Sequence, residues 1–183
     1  MAESVFEGTN FLQPSRNDYD WLGEGIYFWE HNPARAMEYA THLHRRPRMN
    51  GPQIKKPAVI GALIDLGYCF NLLDSKFLKV VADGYNGLVD STKADGIALP
   101  INRASGKQAS LLLRDLDCAV INYVHQFRAD QGLRPFDSVR SVFIEGDPLY
   151  PTAGFYSKNH IQLCVRNRDC IKGYFRPLAD SVA

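Results

Sequence analysis

The chain has 183 residues, 45% of them hydrophobic and 22% charged, with a formal net charge of +1. A chain of this length buries about 70% of its unfolded surface and folds as one domain without staples. The composition carries no collagenous, disordered or membrane bias, and the near-neutral charge argues neither for nor against nucleic acid. The four cysteines, Cys69, Cys118, Cys164 and Cys170, form no Cys-x-x-Cys and have no paired histidine nearby, which disfavours a metal site. No window reaches the roughly 18 apolar residues of a membrane span, and Met1-Ala-Glu-Ser-Val-Phe6 has neither the basic region nor the apolar run of a secretory signal. We expect a cytoplasmic protein with reduced thiols.

Glu3 to Leu12 reads as a short helix or the remnant of one. Gln13 to Asp20 is loop chemistry, with Asn17, Asp18 and Asp20 able to hydrogen-bond their own backbone. Gly23-Glu-Gly25 leads into Ile26-Tyr-Phe-Trp29, a short β-prone strand. Asn32-Pro33 supplies an N-cap and a first-turn proline for a helix running to about His44. The basic run His42 to Arg48 has two readings: a solvated helix end with cations at the negative pole of the dipole, or a phosphate or nucleic-acid contact. From Pro57, Ala-Val-Ile-Gly-Ala-Leu-Ile-Asp-Leu-Gly67 is a nearly continuous apolar run that predicts a central strand buried on both faces.

Asp74-Ser75 caps a second helix from Lys76 to about Asp83, extended by Tyr85 to Asp90 beyond Gly84. Thr92 to Gly106 reads as an irregular loop. Gln108 to about Asp130 has the clearest helical spacing, through Leu112, Leu116, Val120, Tyr123 and Phe127, and His125 within it reads as a packed or surface histidine. Ser138 to Glu145, His160 to Arg166 and Ile171 to Phe175 read as strands, with a long aromatic loop from Gly146 to Asn159. Alternation puts His160, Gln162 and Cys164 on one face. The pattern is α+β, one domain over residues 1–183 with about three helices on a sheet.

The densest stretch is Asp18-Tyr-Asp-Trp-Leu-Gly-Glu-Gly-Ile-Tyr-Phe-Trp29, which combines flexible backbone with flat side chains. It reads either as the floor of a ligand site or as a tight turn with packed aromatics. There is no phosphate-binding Gly-x-x-x-x-Gly-Lys-Ser/Thr, and a strand follows Gly23-Glu-Gly25 where a dinucleotide fingerprint requires a helix. No Gly-x-Ser-x-Gly elbow occurs, so covalent hydrolase chemistry is unsupported.

Trp21-Leu-Gly-Glu-Gly-Ile-Tyr-Phe28, with a helix carrying Ala36 and Tyr39 behind it, resembles the second signature of the diphtheria-toxin-like ADP-ribosyltransferases, the group that includes the poly(ADP-ribose) polymerases. The resemblance implies a split β-sandwich that grips NAD⁺ as co-substrate. In it Gly23 and Gly25 lie at the cleft, Tyr27 stacks on the nicotinamide and Tyr39 is the second ring-clamping tyrosine. The family's triad is His-Tyr-Glu, the glutamate stabilising an oxocarbenium-like transition state as nicotinamide leaves. Its place here falls on Gln162, with His160 on the same strand, and Glu145 is the alternative carboxylate.

The family's Tyr-His-Gly-Thr strand is expected ahead of Met1 or is lacking, since Phe6-Glu-Gly-Thr9 matches it only superficially, with Glu7 in the histidine place. The resemblance implies a transferase, a glycosyltransferase acting on NAD⁺, that modifies a protein or nucleic-acid acceptor. Such enzymes include bacterial and phage toxins and effectors, which have neutralising partner proteins. No membrane partner is expected. The altered triad leaves a second reading open, a binding module of the same fold that holds NAD⁺, ADP-ribose or a partner without turnover.

Overall fold

The aromatic run after Gly25 forms strand β1 (Ile26–Trp29) at the edge of a four-stranded sheet. The computed structural model describes residues 2–46, 53–104 and 113–178. Next to β1 lies β7 (His160–Val165), then β6 (Ser138–Phe143), then β3 (Cys69–Asn71). The first two pairings are antiparallel and β3 runs parallel to β6. Strand β2 (Gly61–Ile64) pairs antiparallel with β8 (Ile171–Phe175), and β4 (Asn102–Arg103) with β5 (Leu113–Arg114). With helices α1 (Ala2–Phe6), α2 (Pro33–Arg45), α3 (Ser75–Ala94) and α4 (Asp115–Asp130), the fold is mixed α+β.

The helix starts follow from their caps. The Asn32 side chain accepts from the Arg35 N–H at 3.0 Å, with Pro33 at the first helical position. Asp74 likewise accepts from the Lys76 N–H at 3.1 Å. Helix α4 has no side-chain cap of its own. Instead Asn102 on β4 reaches over and accepts from the Leu116 and Asp117 N–H groups at 2.9 and 3.2 Å, so the short β4–β5 ribbon satisfies the helix end.

One face of the sheet closes on α4 and α3 through Leu22, Phe70, Ile121, Val124, Phe136, Val139 and Cys164, with Phe77, Val80 and Val81 of α3 packed alongside. Phe70 and Val139 are wholly buried, each stabilising the fold by about 1.5–3 kcal/mol relative to exposure. The other face packs Ile26, Val165 and Phe28 against Ile64, Ile171, Cys170 and Leu12, which joins the β2–β8 pair to the sheet.

Several elements differ from the sequence reading. The apolar run after Pro57 yields only the four residues of β2, in a two-stranded pair, with Leu63 65% exposed; it is not central, because β2 pairs with β8 alone. The second helix runs through Gly84 to Ala94, and the described helices number four where about three were expected. Helix α4 begins at Asp115, since Leu113 and Arg114 pair with β4, and residues 108–112 of the expected helix lie outside the described residues. Phe127, expected in the stripe, is half-exposed, and the buried face is Cys118, Val120, Ile121 and Val124. His125 packs edge-on against Phe70 and Phe136.

Candidate functional site

Cross-strand pairing sets which side chains share the α4 face of the sheet. Tyr27 stands opposite Cys164, which stands opposite Val139. One step along, Trp29 faces Gln162, which faces Ser141. At the far end His160 pairs with Phe143. The Tyr27 end is covered by the core cluster, and the Trp29 and His160 end carries the polar groups.

At the covered end the Tyr27 hydroxyl donates to the Gly23 carbonyl at 2.8 Å and accepts from the Leu22 N–H at 3.1 Å. Burial pushes its pKa up, and pushes the Cys164 thiol up to about 12. Gly23 has φ +79°, with its Cα facing Asn122 and Ile121 of α4, and a side chain at Gly25 would meet the Cys164 sulfur and the Val165 carbonyl. Both glycines therefore let β1 and its preceding turn approach α4 and β7. All four cysteines are free thiols.

At the other end a polar chain crosses the sheet. The Trp21 indole N–H donates to Gln162 Oε1 at 2.5 Å, and Gln162 Nε2 lies 3.0 Å from His160 Nε2. His160 Nδ1 lies 2.7 Å from the Lys158 carbonyl. A carbonyl only accepts, so this network assigns the imidazole proton to Nδ1 and makes Nε2 the acceptor for the Gln162 amide. Loss of solvation lowers the His160 pKa, which keeps the ring in this neutral state. The Gln162 orientation is thereby fixed from both ends, leaving its oxygen one lone pair beyond the indole bond.

Aromatic rings frame this chain. Trp29 packs on Tyr39 of α2 at 5.2 Å and on His160 at 6.2 Å. Trp21 packs on Phe143 at 4.9 Å, and Phe143 on His160 at 5.5 Å. The Arg114 guanidinium lies 4.9 Å from the Phe143 ring centre and 5.4 Å from that of Trp21. Beside His160, Arg35 of α2 binds Glu145 at 2.7 Å and Glu38 at 3.3 Å. Only 9% of the Arg35 side chain is exposed, so the pair ties α2 to the base of the β6–β7 loop. The Arg35 Nε and Trp29 Nε1 atoms are buried with no hydrogen-bond partner among the described residues. The loop itself is closed by the Pro148–Tyr156 bridge and presents Leu149, Tyr150 and Phe155 outward.

Of the residues singled out in the sequence, Gln162, His160 and Tyr39 come together around Trp29, and Glu145 joins them through Arg35. Tyr27, Gly23 and Gly25 are on the covered side, one residue pair away. Trp21 and Trp29 lie in the stretch read as a ligand floor or as a turn with packed aromatics, whereas Arg35, Phe143 and Arg114 were not anticipated beside it. In the basic run, His44 Nδ1 contacts the Ile54 carbonyl at 2.6 Å, and Pro47 and Arg48 lie outside the described residues. Among the described residues no group of three or more His, Cys, Asp or Glu could hold a metal ion, and no helix is long and apolar enough to cross a membrane.

No family model matches the chain, and no solved structure matches it. It is similar to the uncharacterized protein MJ0359 of Methanocaldococcus jannaschii, 27% identical over 188 residues, which span 93% of this chain and 79% of that protein.

Proposed function

We propose that the chain is a NAD⁺-dependent mono-ADP-ribosyltransferase of the split β-sandwich type, acting in the cytoplasm on a macromolecular acceptor, protein or nucleic acid, as a toxin or effector with a neutralising partner. The observation that carries this reading is the fixed Gln162 amide. It sits mid-sheet on the strand paired with the aromatic motif, framed by Trp29 and Trp21, with one oxygen lone pair available to a ribose hydroxyl. The aromatic frame suits a flat cationic ring such as nicotinamide. In the reaction the bond from ribose C1′ to the nicotinamide nitrogen breaks, its electron pair leaves with nicotinamide, and the acceptor nucleophile bonds to C1′ and loses its proton. Gln162 holds the ribose hydroxyl, Trp29 and Tyr39 form the ring wall, and Tyr27 with Gly23 and Gly25 secures the strand beneath.

A specific observation favours the second reading, a binding module that holds NAD⁺ or ADP-ribose without turnover. The Trp21–Gln162–His160 chain contains no carboxylate, and Glu145 is engaged by Arg35, so charge stabilisation of an oxocarbenium-like state is weak. Incubation with NAD⁺ labelled in its adenylate, plus cell extract, separates the two. Transfer of label to acid-precipitable material, lost in Gln162→Ala, is the expected result. Thermal stabilisation by NAD⁺ with neither labelled macromolecule nor released nicotinamide would establish the binding module, and no response of either kind would overturn both readings.

A further inference from the structure

We infer that the basic end of α2 and the lysines ahead of β2 form a binding surface for single-stranded nucleic acid, with phosphates on the cations and one unstacked base in the cavity beside them. The inference goes beyond the NAD⁺ reading and does not depend on it. Arg45 and Arg46 end α2, Lys55 and Lys56 precede β2, and all four are exposed. His44 Nδ1 donates to the Ile54 carbonyl at 2.6 Å, so both pairs of cations lie within two residues of one contact. None of the four forms an ion pair among the described residues, whereas Arg16, Lys76, Lys79, Arg103, Arg134 and Arg176 on the surface each bind a carboxylate. The negative pole of the helix dipole accounts for Arg45 and Arg46, but Lys55 and Lys56 lie on no helix. In a chain of net charge +1, four such cations in one place make a local positive field.

The neighbouring cavity gives that field a preferred occupant. A space of about 300 Å³ opens between α1, α2 and the ends of the β2–β8 pair, walled by Phe6, Met37, Val59 and Pro177. Arg176 also lines it, its guanidinium 4.5 Å from the Phe6 ring centre and bound to Glu3. Lys56 stands at this edge: the Arg176 hydrogen bond holds the Glu3 carboxyl below its usual range, and the Lys56 charge adds to the effect. Apolar walls with an aromatic and a guanidinium suit the flat face of a base, and cations beside them suit the backbone that carries it. A duplex keeps its bases stacked and paired, and a run of carboxylates brings no flat ring.

Fluorescence anisotropy of a labelled mixed-sequence strand of about 12 nucleotides, as DNA and as RNA, titrated with the full chain and without NAD⁺, tests this. Binding should weaken about fiftyfold between about 50 and 200 mM salt, the response for four phosphates neutralised on a single strand. Arg45→Gln with Arg46→Gln, or Lys55→Gln with Lys56→Gln, should each reduce that response to about sevenfold and lower the affinity at the lower salt. Lys93→Gln, exposed on α3, should change neither, and a duplex of the same sequence should bind at least about tenfold more weakly. Tighter binding of either sugar supports the inference and names the strand. Four results would each overturn it: no saturable binding at the lower salt, a salt response that both double variants leave unchanged, duplex bound as tightly as single strand, or poly-glutamate of equal charge bound as tightly. The NAD⁺ reading is untouched by any of them.

Discussion

The two ends of the α4 face of the sheet are built from the same three strands and the same alternation, yet they do opposite things. At one end Tyr27, Cys164 and Val139 meet Phe70 and α4, and the one polar group, the phenol, is spent on the turn at Leu22 and Gly23. At the other end Trp29, Gln162 and His160 stand beyond the core cluster, where Gln162 links the Trp21 indole to His160 and Trp29 Nε1 has no partner among the described residues. A single step along one face of β1, from Tyr27 to Trp29, therefore separates the packed core end from the candidate site. The Asp18 to Trp29 stretch serves packing at Gly25 and Tyr27 and reaches the candidate site at Trp21 and Trp29.

That contrast can be broken most forcefully from the scaffold end. Phe70→Ala should cost about 3–5 kcal/mol of unfolding free energy, read by denaturant titration, because Phe70 is fully buried and stacks on Phe136 at 4.6 Å. A loss below 1 kcal/mol would mean that this end of the face is not the core. A second, pH-dependent effect comes from His125. Burial, with Arg166 and Arg128 nearby, pulls its pKa down from the usual 6.5 to about 3. The folded state thus favours neutral His125, and its contribution to stability is complete above pH 6.5. It is lost as pH falls from 6.5 toward 3, at about 1.4 kcal/mol per pH unit. His125→Phe should remove that slope from the acid limb of a stability–pH profile; an unchanged limb would refute the assignment.

The smallest of the three separates the ends directly. Tyr27→Phe leaves the Leu22 N–H and the Gly23 carbonyl without the phenol and should cost about 1–3 kcal/mol of stability. Affinity for NAD⁺ should stay within about twofold, since the altered atom faces the turn. A tenfold loss of affinity at constant stability would move Tyr27 from scaffold to site.

Strands β1, β6, β7 and β8 were legible because each has a β-branched or aromatic run bounded by turn residues, and the caps at Asn32 and Asp74 marked two helix starts. The shared face of His160, Gln162 and Cys164 followed from alternation alone. What could not be read is whatever depends on register between distant strands. Trp21 and Gln162 are 141 positions apart, and Arg35 and Glu145 are 110 apart, so no local pattern links them. The run after Pro57 misled for a related reason: continuous apolar sequence reports burial without saying how many strands supply it. Helix α4 began later than its periodicity implied because a distant asparagine, Asn102, supplied the cap.

The chain has two tryptophans, Trp21 and Trp29, and both lie at the site end of the sheet face. Their indole N–H resonances in a proton–nitrogen correlation spectrum therefore report on that end alone. Titration with NAD⁺ should shift both signals saturably with one common affinity, Trp21 through its bond to Gln162 and Trp29 through its ring neighbours. Indole signals that stay fixed at millimolar NAD⁺, or that stay fixed while calorimetry shows NAD⁺ bound, would contradict the placement of the ligand site at Trp29 and Gln162.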